Sequence, residues 1–231
     1  MHKVHIGQDI IDRVLARRGR VHLFDSLDPA KTAFVVVDMQ NTFVEPGAPA
    51  EVPVARDVVP AINALAAELR RRGVTVIWVN HANIGKGTKT DWKGFFDHIV
   101  GDPAKIARMI EYTKPDGHGA KLWKDLTIHS DDLRITKNRY SAFTSGASTL
   151  ERLLRSLGIE ALILAGTKTN VCVESTGRDA MALDYKVVLV SDCCAAFTDK
   201  EHLATLETFI MQFGDVMTKD EVLEVVGRKV N

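Results

Sequence analysis

Cys172 sits where a thiol could do chemistry, in the run Leu164-Ala-Gly-Thr-Lys-Thr-Asn-Val-Cys-Val-Glu-Ser-Thr176. An apolar, strand-like stretch over 159–165 ends in a glycine turn, and the cysteine falls in the expected first turn of a helix from Cys172 to Leu183. The unpaired N–H groups and partial positive charge of a helix start favour thiolate over thiol and can hold a developing oxyanion. Cys172 is therefore a candidate nucleophile, set against the plainer reading of a small apolar residue packing helix onto sheet. Two other residues at the ends of strand-like runs complete a working set. Asp38 closes Thr32-Ala-Phe-Val-Val-Val-Asp38, and Lys137 closes Leu133-Arg-Ile-Thr-Lys137. Alone, the first reads as a loop acid and the second as a solvated strand-end lysine. Together with Cys172, a carboxylate can serve as general base to the thiol. The lysine would keep that carboxylate ionised and steady negative charge on sulfur.

The elements that must position them alternate between buried strands and amphipathic helices. Residues 32–38, 74–80, 133–137, 159–165 and 186–191 read as strands, the longer ones apolar throughout, as strands buried on both faces are. Helices are expected over 58–72 with Gly73 as C-cap, 149–157 with Gly158, 172–183, 202–211 and 219–227 with Thr218 as N-cap, and 215–217 as an edge strand. This alternation predicts a three-layer α/β/α sandwich around a mainly parallel, doubly wound sheet. In such sheets ligands bind outside the carboxyl ends of the strands, where Asp38, Lys137 and Cys172 all fall. Residues 81–119 read as a long irregular insertion, suited to a lid or a subunit contact. An amphipathic helix over 7–18 is expected to lie outside the main fold as a partner-contact arm, so the chain divides into an N-terminal helical extension (1–30) and one full-sized domain (31–231).

Composition narrows the function classes. The 231 residues carry 30 basic and 30 acidic side chains, a balance that argues against nucleic acid or an anionic membrane as partner. The basic clusters at 17–20 and 70–72 sit at expected helix C-termini, where they complement the dipole. Three cysteines, with Cys193 and Cys194 adjacent, do not form a disulfide framework and suit a reducing cytoplasm. Those two follow a strand and read as packing residues. No apolar run is long enough to span a bilayer, and no signal segment is recognised. The eight histidines show no ligand-like pairing, so neither metal nor cofactor is expected.

Three segments, Val-Val-Val-Asp38-Met-Gln-Asn-Thr-Phe43, Lys137-Asn-Arg-Tyr-Ser-Ala-Phe143 and Gly166-Thr-Lys-Thr-Asn-Val-Cys172-Val, together resemble the isochorismatase-like cysteine hydrolases, in family order and spacing from about 31 to 226. The resemblance implies that Cys172 attacks a carbonyl carbon, Asp38 moves the proton, Lys137 orients and charges the pair, and water hydrolyses a thioester. It also implies a cis peptide at Thr167–Lys168, with the N–H groups of Lys168 and Cys172 forming the oxyanion hole. Lys168 departs from the small residue usual at its place. Its side chain either reaches the substrate or points away toward a neighbouring subunit, the second being favoured.

Isochorismatase proper lacks the cysteine, so Cys172 points to C–N hydrolysis. Nicotinamidases of the family carry an aspartate and two histidines for a metal after the second strand. Here that place reads Asn80-His81-Ala82-Asn83, which weakens that reading. The segments around Lys137 and Cys172 are most similar to the ureidoacrylate branch, where Asn80 and Tyr140 correspond to positions near the substrate. Phe43 and Trp92 are counted with them, Trp92 together with Phe95 and Phe96 as a wall from the insertion. The expected protein is a metal-independent amidohydrolase acting on a small ureido, carbamoyl or carboxamide compound and assembling as a homo-oligomer. The alternatives are a nicotinamidase-like or other amide hydrolase, or a non-catalytic oligomeric binding protein on the same fold.

Overall fold

The apolar run at 32–37 forms strand β1 (Thr32–Val37), every residue of which is buried, because helices cover both faces of the sheet it belongs to. The computed structural model describes residues 1–83 and 89–228. Helix α1 (Gln8–Arg18) precedes β1. The chain continues through α2 (Asn41–Val44), α3 (Ala55–Arg71), β2 (Thr75–His81), α4 (Pro103–Tyr112), β3 (Leu133–Lys137) and α5 (Leu150–Ser156). It ends with β4 (Ala161–Thr167), α6 (Glu174–Ala182), β5 (Lys186–Ala195), α7 (Asp199–Gln212), β6 (Asp215–Met217) and α8 (Lys219–Val225). The strands lie in the order β3-β2-β1-β4-β5-β6 and every pairing is parallel. The order reverses between β1 and β4, and that switch point is where Asp38 and Cys172 emerge.

Strand alternation sorts the core into two layers. Phe34, Val36, Ile163 and Val188 pack against α3 and α8, while Ala33, Val35, Val37, Leu162 and Leu189 pack beneath α6 and α7. Cys193 and Cys194 lie within β5 and fall into opposite layers, both buried and unbridged. No described helix is long and apolar enough to cross a membrane.

Several elements differ from their sequence-based bounds. Helix α3 begins earlier, at Ala55, and carries Pro60 inside it. The segment 81–119 is not irregular throughout. Asp102 caps the ten-residue helix α4, accepting from the Ala104 and Lys105 N–H groups, with Pro103 at its first position. Residues 84–88 of that segment lie outside the described residues. Strand β5 runs on to Ala195, with a register shift opposite β4 between Leu164 and Gly166. Helix α1 packs against the domain rather than standing off it. Val14 is buried in the α6–α7 layer, and Arg17 Nη1 donates to the Met211 carbonyl at 3.1 Å.

One glycine holds the switch point together. Gly166 has φ +114°, and a Cβ there would lie 2.0 Å from the Val37 carbonyl oxygen. Gly166→Ala is expected to combine backbone strain with overpacking, at about 2–5 kcal/mol. Thermal denaturation should show a fall in Tm of roughly 5–15 °C. An unchanged Tm would mean that β1 and β4 can part there without penalty.

Candidate active site

Asp38 leaves β1 with φ 55°, a left-handed conformation uncommon for a residue with a side chain. Its N–H donates to the Val79 carbonyl at 2.7 Å. The carboxylate is fully buried, and Lys137 Nζ, also fully buried at the end of β3, donates to Asp38 Oδ2 at 2.7 Å. The same ammonium donates to the Arg139 carbonyl at 3.0 Å. Asp38 Oδ1 is buried with no hydrogen-bond partner among the described residues. The Cys172 thiol, 4% exposed, lies in the field of both charges. The structure thus brings Asp38, Lys137 and Cys172 to one place at the carboxyl edge of the sheet.

Electrostatics assigns their resting states. Burial raises the Asp38 carboxyl above its ordinary value, with Lys137 opposing. For Lys137, burial works to lower proton affinity but the charges of Asp38 and Cys172 outweigh it, so the ammonium is held. Burial pushes the Cys172 thiol up to about 12, Lys137 opposing and Asp38 adding to the rise. The expected thiolate at a helix start is therefore corrected. The chain enters α6 through a π-helical turn, Thr169–Val173, with Cys172 inside it, and burial is the largest influence on its thiol. The resting group is a thiol beside a carboxylate of raised proton affinity, a pairing suited to general-base transfer.

Before that turn the Thr167–Lys168 peptide is cis. The Lys168 side chain lies over the exposed ring of Phe197, its ammonium 4.6 Å from the centroid. Thr167 and Thr169, on either side of Lys168, are both fully buried.

Aromatic side chains gather beside the thiol. Tyr140 meets Trp92 edge-on at 4.7 Å, Trp92 stacks on Phe95 at 4.8 Å, and His81 bridges Trp92 (6.2 Å) to Phe43 (6.4 Å). Tyr140's hydroxyl is raised, first by burial and then by charge on Cys172. Of the four residues expected near a substrate, Phe43, Trp92 and Tyr140 come together. Asn80 does not join them. Its amide donates to the Ala120 carbonyl at 2.6 Å and it lines a separate cleft with Trp123 and Thr136, since alternation along β2 sends it to the face opposite His81.

His81, opposite Lys137 in register, takes the nearer place. Burial, aided by Lys137 and Arg139, holds its ring well below the usual histidine range, so it is neutral. Arg139 is half-buried. Its Nη1 donates to the carbonyls of Asp91 (3.0 Å) and Asn138 (2.8 Å), and its guanidinium lies 5.1 Å over Trp92. His81 and Arg139 are residues beside the site that sequence reasoning missed, whereas Phe95 was expected as part of its wall. The strand period, which puts His81 rather than Asn80 on the Cys172 face, was the available signal for the first. No group of three or more His, Cys, Asp or Glu among the described residues is placed to hold a metal ion.

A parallel α/β sheet with these residues at its switch point defines a class, the cysteine hydrolases. The family model described as the isochorismatase domain matches residues 32–221, and the chain belongs to that family. It is 31% identical to the ureidoacrylate amidohydrolase RutB of Klebsiella pneumoniae over 209 residues, covering 83% of this chain and 86% of that protein. It is 35% identical over 177 residues to a "probable inactive nicotinamidase" of Arabidopsis thaliana, covering 76% of this chain and 86% of the plant protein. Among solved structures it resembles a cysteine hydrolase from Pseudomonas syringae pv. phaseolicola, with TM-score 0.74, 28% identity and coverage of 88% and 95% of the two chains.

Proposed function

We propose that this isochorismatase-family hydrolase is an amidohydrolase in which Cys172, Asp38 and Lys137 form the catalytic set, cleaving a C–N bond of a small ureido acid of the ureidoacrylate type. The observation that carries the reading is the buried Asp38–Lys137 ion pair, which occupies Oδ2 and leaves Oδ1 for the Cys172 proton. As Cys172 Sγ attacks the substrate carbonyl carbon, Asp38 takes the thiol proton. The displaced electron pair moves onto oxygen, which the Lys168 and Cys172 N–H groups receive. Collapse of this adduct expels the amine, which takes the proton from Asp38 and leaves a thioester on Cys172. Water then gives a proton to Asp38 while its oxygen attacks the thioester, and the departing Cys172 thiolate recovers that proton. Lys137 stays charged throughout and keeps Asp38 ionised at the start of each half-reaction.

The side chains around Cys172 also support a substrate class. Phe43, Trp92 and Tyr140, with Phe95, present ring faces and edges to a flat, conjugated compound. Arg139, fixed by two carbonyls and stacked on Trp92, is the group suited to a substrate carboxylate. The three unbridged cysteines suit a reducing cytoplasm, and Ile99, 71% exposed on the insertion, suits a contact between copies in a homo-oligomer. A second reading, hydrolysis of an aromatic carboxamide, is favoured by the aromatic lining and by the likeness to the plant protein.

Ammonia release from ureidoacrylate, N-carbamoyl amino acids, biuret and nicotinamide, measured before and after chelation, separates these readings. Chelator-resistant turnover of a ureido acid is the expected result, and turnover of nicotinamide alone would install the second reading. Arg139→Met should then raise KM for the acid roughly 10–100-fold, the value of a charged hydrogen bond, and leave KM for neutral amides unchanged. Equal losses on both would remove Arg139 from carboxylate recognition.

A further inference from the structure

The segment ahead of α1 places an imidazole deep in the domain. The His2 side chain is 2% exposed and stacks on the ring of His202 from α7, with centroids 4.3 Å apart and planes at 17°. The bonds around the two rings fix their protons. The Ala196 N–H donates to His2 Nε2 at 3.0 Å, so that nitrogen is unprotonated and Nδ1 carries the proton that meets Asp199 Oδ1 at 2.6 Å. His202 bonds the Ser191 backbone on one edge, and its Nδ1 lies 2.9 Å from Thr169 Oγ1. Burial lowers the His202 ring to about 4, so it is neutral and Nδ1 accepts the threonine hydroxyl. Both rings are pinned.

What they hold is the backbone around Lys168. Thr169 follows Lys168, and His202 fixes its hydroxyl. Thr167 precedes Lys168 and pairs with Ala195 across β4–β5, its Oγ1 donating to the Ala195 carbonyl at 3.2 Å. Ala195 leads directly to Ala196, whose N–H is bonded to His2. The stacked pair therefore grips both flanks of the one residue whose N–H, with that of Cys172, receives the oxyanion in the proposed reaction. No atom of either ring is needed in the chemistry. His2 lies outside residues 32–221, so this support is added by the part of the chain beyond the family domain.

We infer that His2 is a positioning residue, acting through His202 and Thr169 to hold the Lys168 N–H in place for the transition state. The inference rests on the amidohydrolase reading above. Oxyanion contacts strengthen as the carbonyl becomes tetrahedral, so loosening them lowers kcat and leaves KM in place. A displacement well under the width of an atom suffices for a large effect.

The test is His2→Ala, His2→Gln and Thr169→Val in the full chain. It uses kcat and KM on the panel compound that the wild type hydrolyses, with iodoacetamide alkylation of Cys172 as a second readout. Alkylation needs the thiol and its base but develops no oxyanion. The expected result for His2→Ala and Thr169→Val is a fall in kcat of about 10–100-fold with KM within about twofold and an unchanged alkylation rate. His2→Gln, which keeps an acceptor for the Ala196 N–H, should recover part of the loss. Unchanged kcat in both, or kcat and alkylation falling together, would overturn the inference while leaving the hydrolase reading in place. A wild type inert to the whole panel, with Cys172 resistant to alkylation, overturns that reading and this inference with it.

Discussion

Replacing Cys172 with alanine is expected to lower turnover roughly 10⁴–10⁶-fold, the scale of losing a covalent nucleophile, while the protein stays folded. The thiol is buried and its hydrogen-bond partners, Asp38 and Lys137, keep each other when it is removed, so the cost in stability is about 1 kcal/mol. Circular dichroism and a melting curve indistinguishable from wild type within a few degrees would separate lost chemistry from lost structure. Cys172→Ser is as informative. It keeps the shape and a hydroxyl, yet the hydroxyl is a weaker nucleophile still dependent on Asp38, and its activity should stay within about tenfold of the alanine variant. Because the resting group is a thiol held up to about 12, labelling at pH 7 relies on Asp38 taking the proton. Asp38→Asn should therefore slow alkylation of Cys172, and Cys193 and Cys194 should remain unlabelled in the folded protein. A Cys172→Ala variant that keeps appreciable turnover would return the cysteine to a packing role and remove it from the catalytic set.

Much of the fold could be read before the structure because its strands are buried on both faces and therefore written as uninterrupted apolar runs. Thr32–Val37 and Ala161–Thr167 are of this kind, and their helices end in glycines or begin in capping threonines. Asp38, Lys137 and Cys172 were legible for a related reason. Each is a chemically capable residue at the carboxyl end of such a run, and a parallel sheet gathers those ends on one edge. Not all of what escaped depends on non-local geometry. Helix α4 was legible and was passed over: Asp102-Pro103 announces its start, and Ile106, Met109 and Ile110 stand at i, i+3 and i+4, although none is fully buried. Arg139 is placed by a stack on Trp92, which is not local in sequence, whereas the strand period already put His81 on the Cys172 face. The proton affinity of Cys172 was misjudged because position in a helix is local, whereas burial is a property of everything packed around it. His2 was invisible altogether, since nothing near it in sequence says that it will stack on a residue two hundred positions away.

The Asp38–Lys137 pair should separate stability from activity more sharply than any other change. Asp38→Asn removes the general base and leaves an ammonium buried without a counter-charge. Activity is expected to fall about 10²–10⁴-fold for the base alone, and stability by about 3–5 kcal/mol, which lowers Tm by roughly 6–20 °C. Lys137→Met leaves the opposite orphan, a carboxyl that can escape by taking a proton. Its folded-state proton affinity, already raised by burial, loses the one opposing charge and rises further. A group raised in the folded state favours folding when protonated, so this contribution is full below the unfolded carboxyl value and is lost as pH rises through the folded one. The Tm gap between wild type and Lys137→Met should accordingly be widest near pH 7 and narrow toward pH 4. The orphan of Asp38→Asn escapes the other way, by losing a proton, because without Asp38 burial lowers its proton affinity. Combining the two changes removes both charges, and most of the lost stability should return while turnover stays absent, since a neutral pair of similar volume needs no partner. A double variant no more stable than Asp38→Asn would mean that the stability resides in the contacts around the pair, such as that of Lys137 with the Arg139 carbonyl, and not in the ion pair itself. Recovery of stability without activity would show that this fold carries a buried ion pair it does not need for folding, retained at the one place where the Cys172 proton must move.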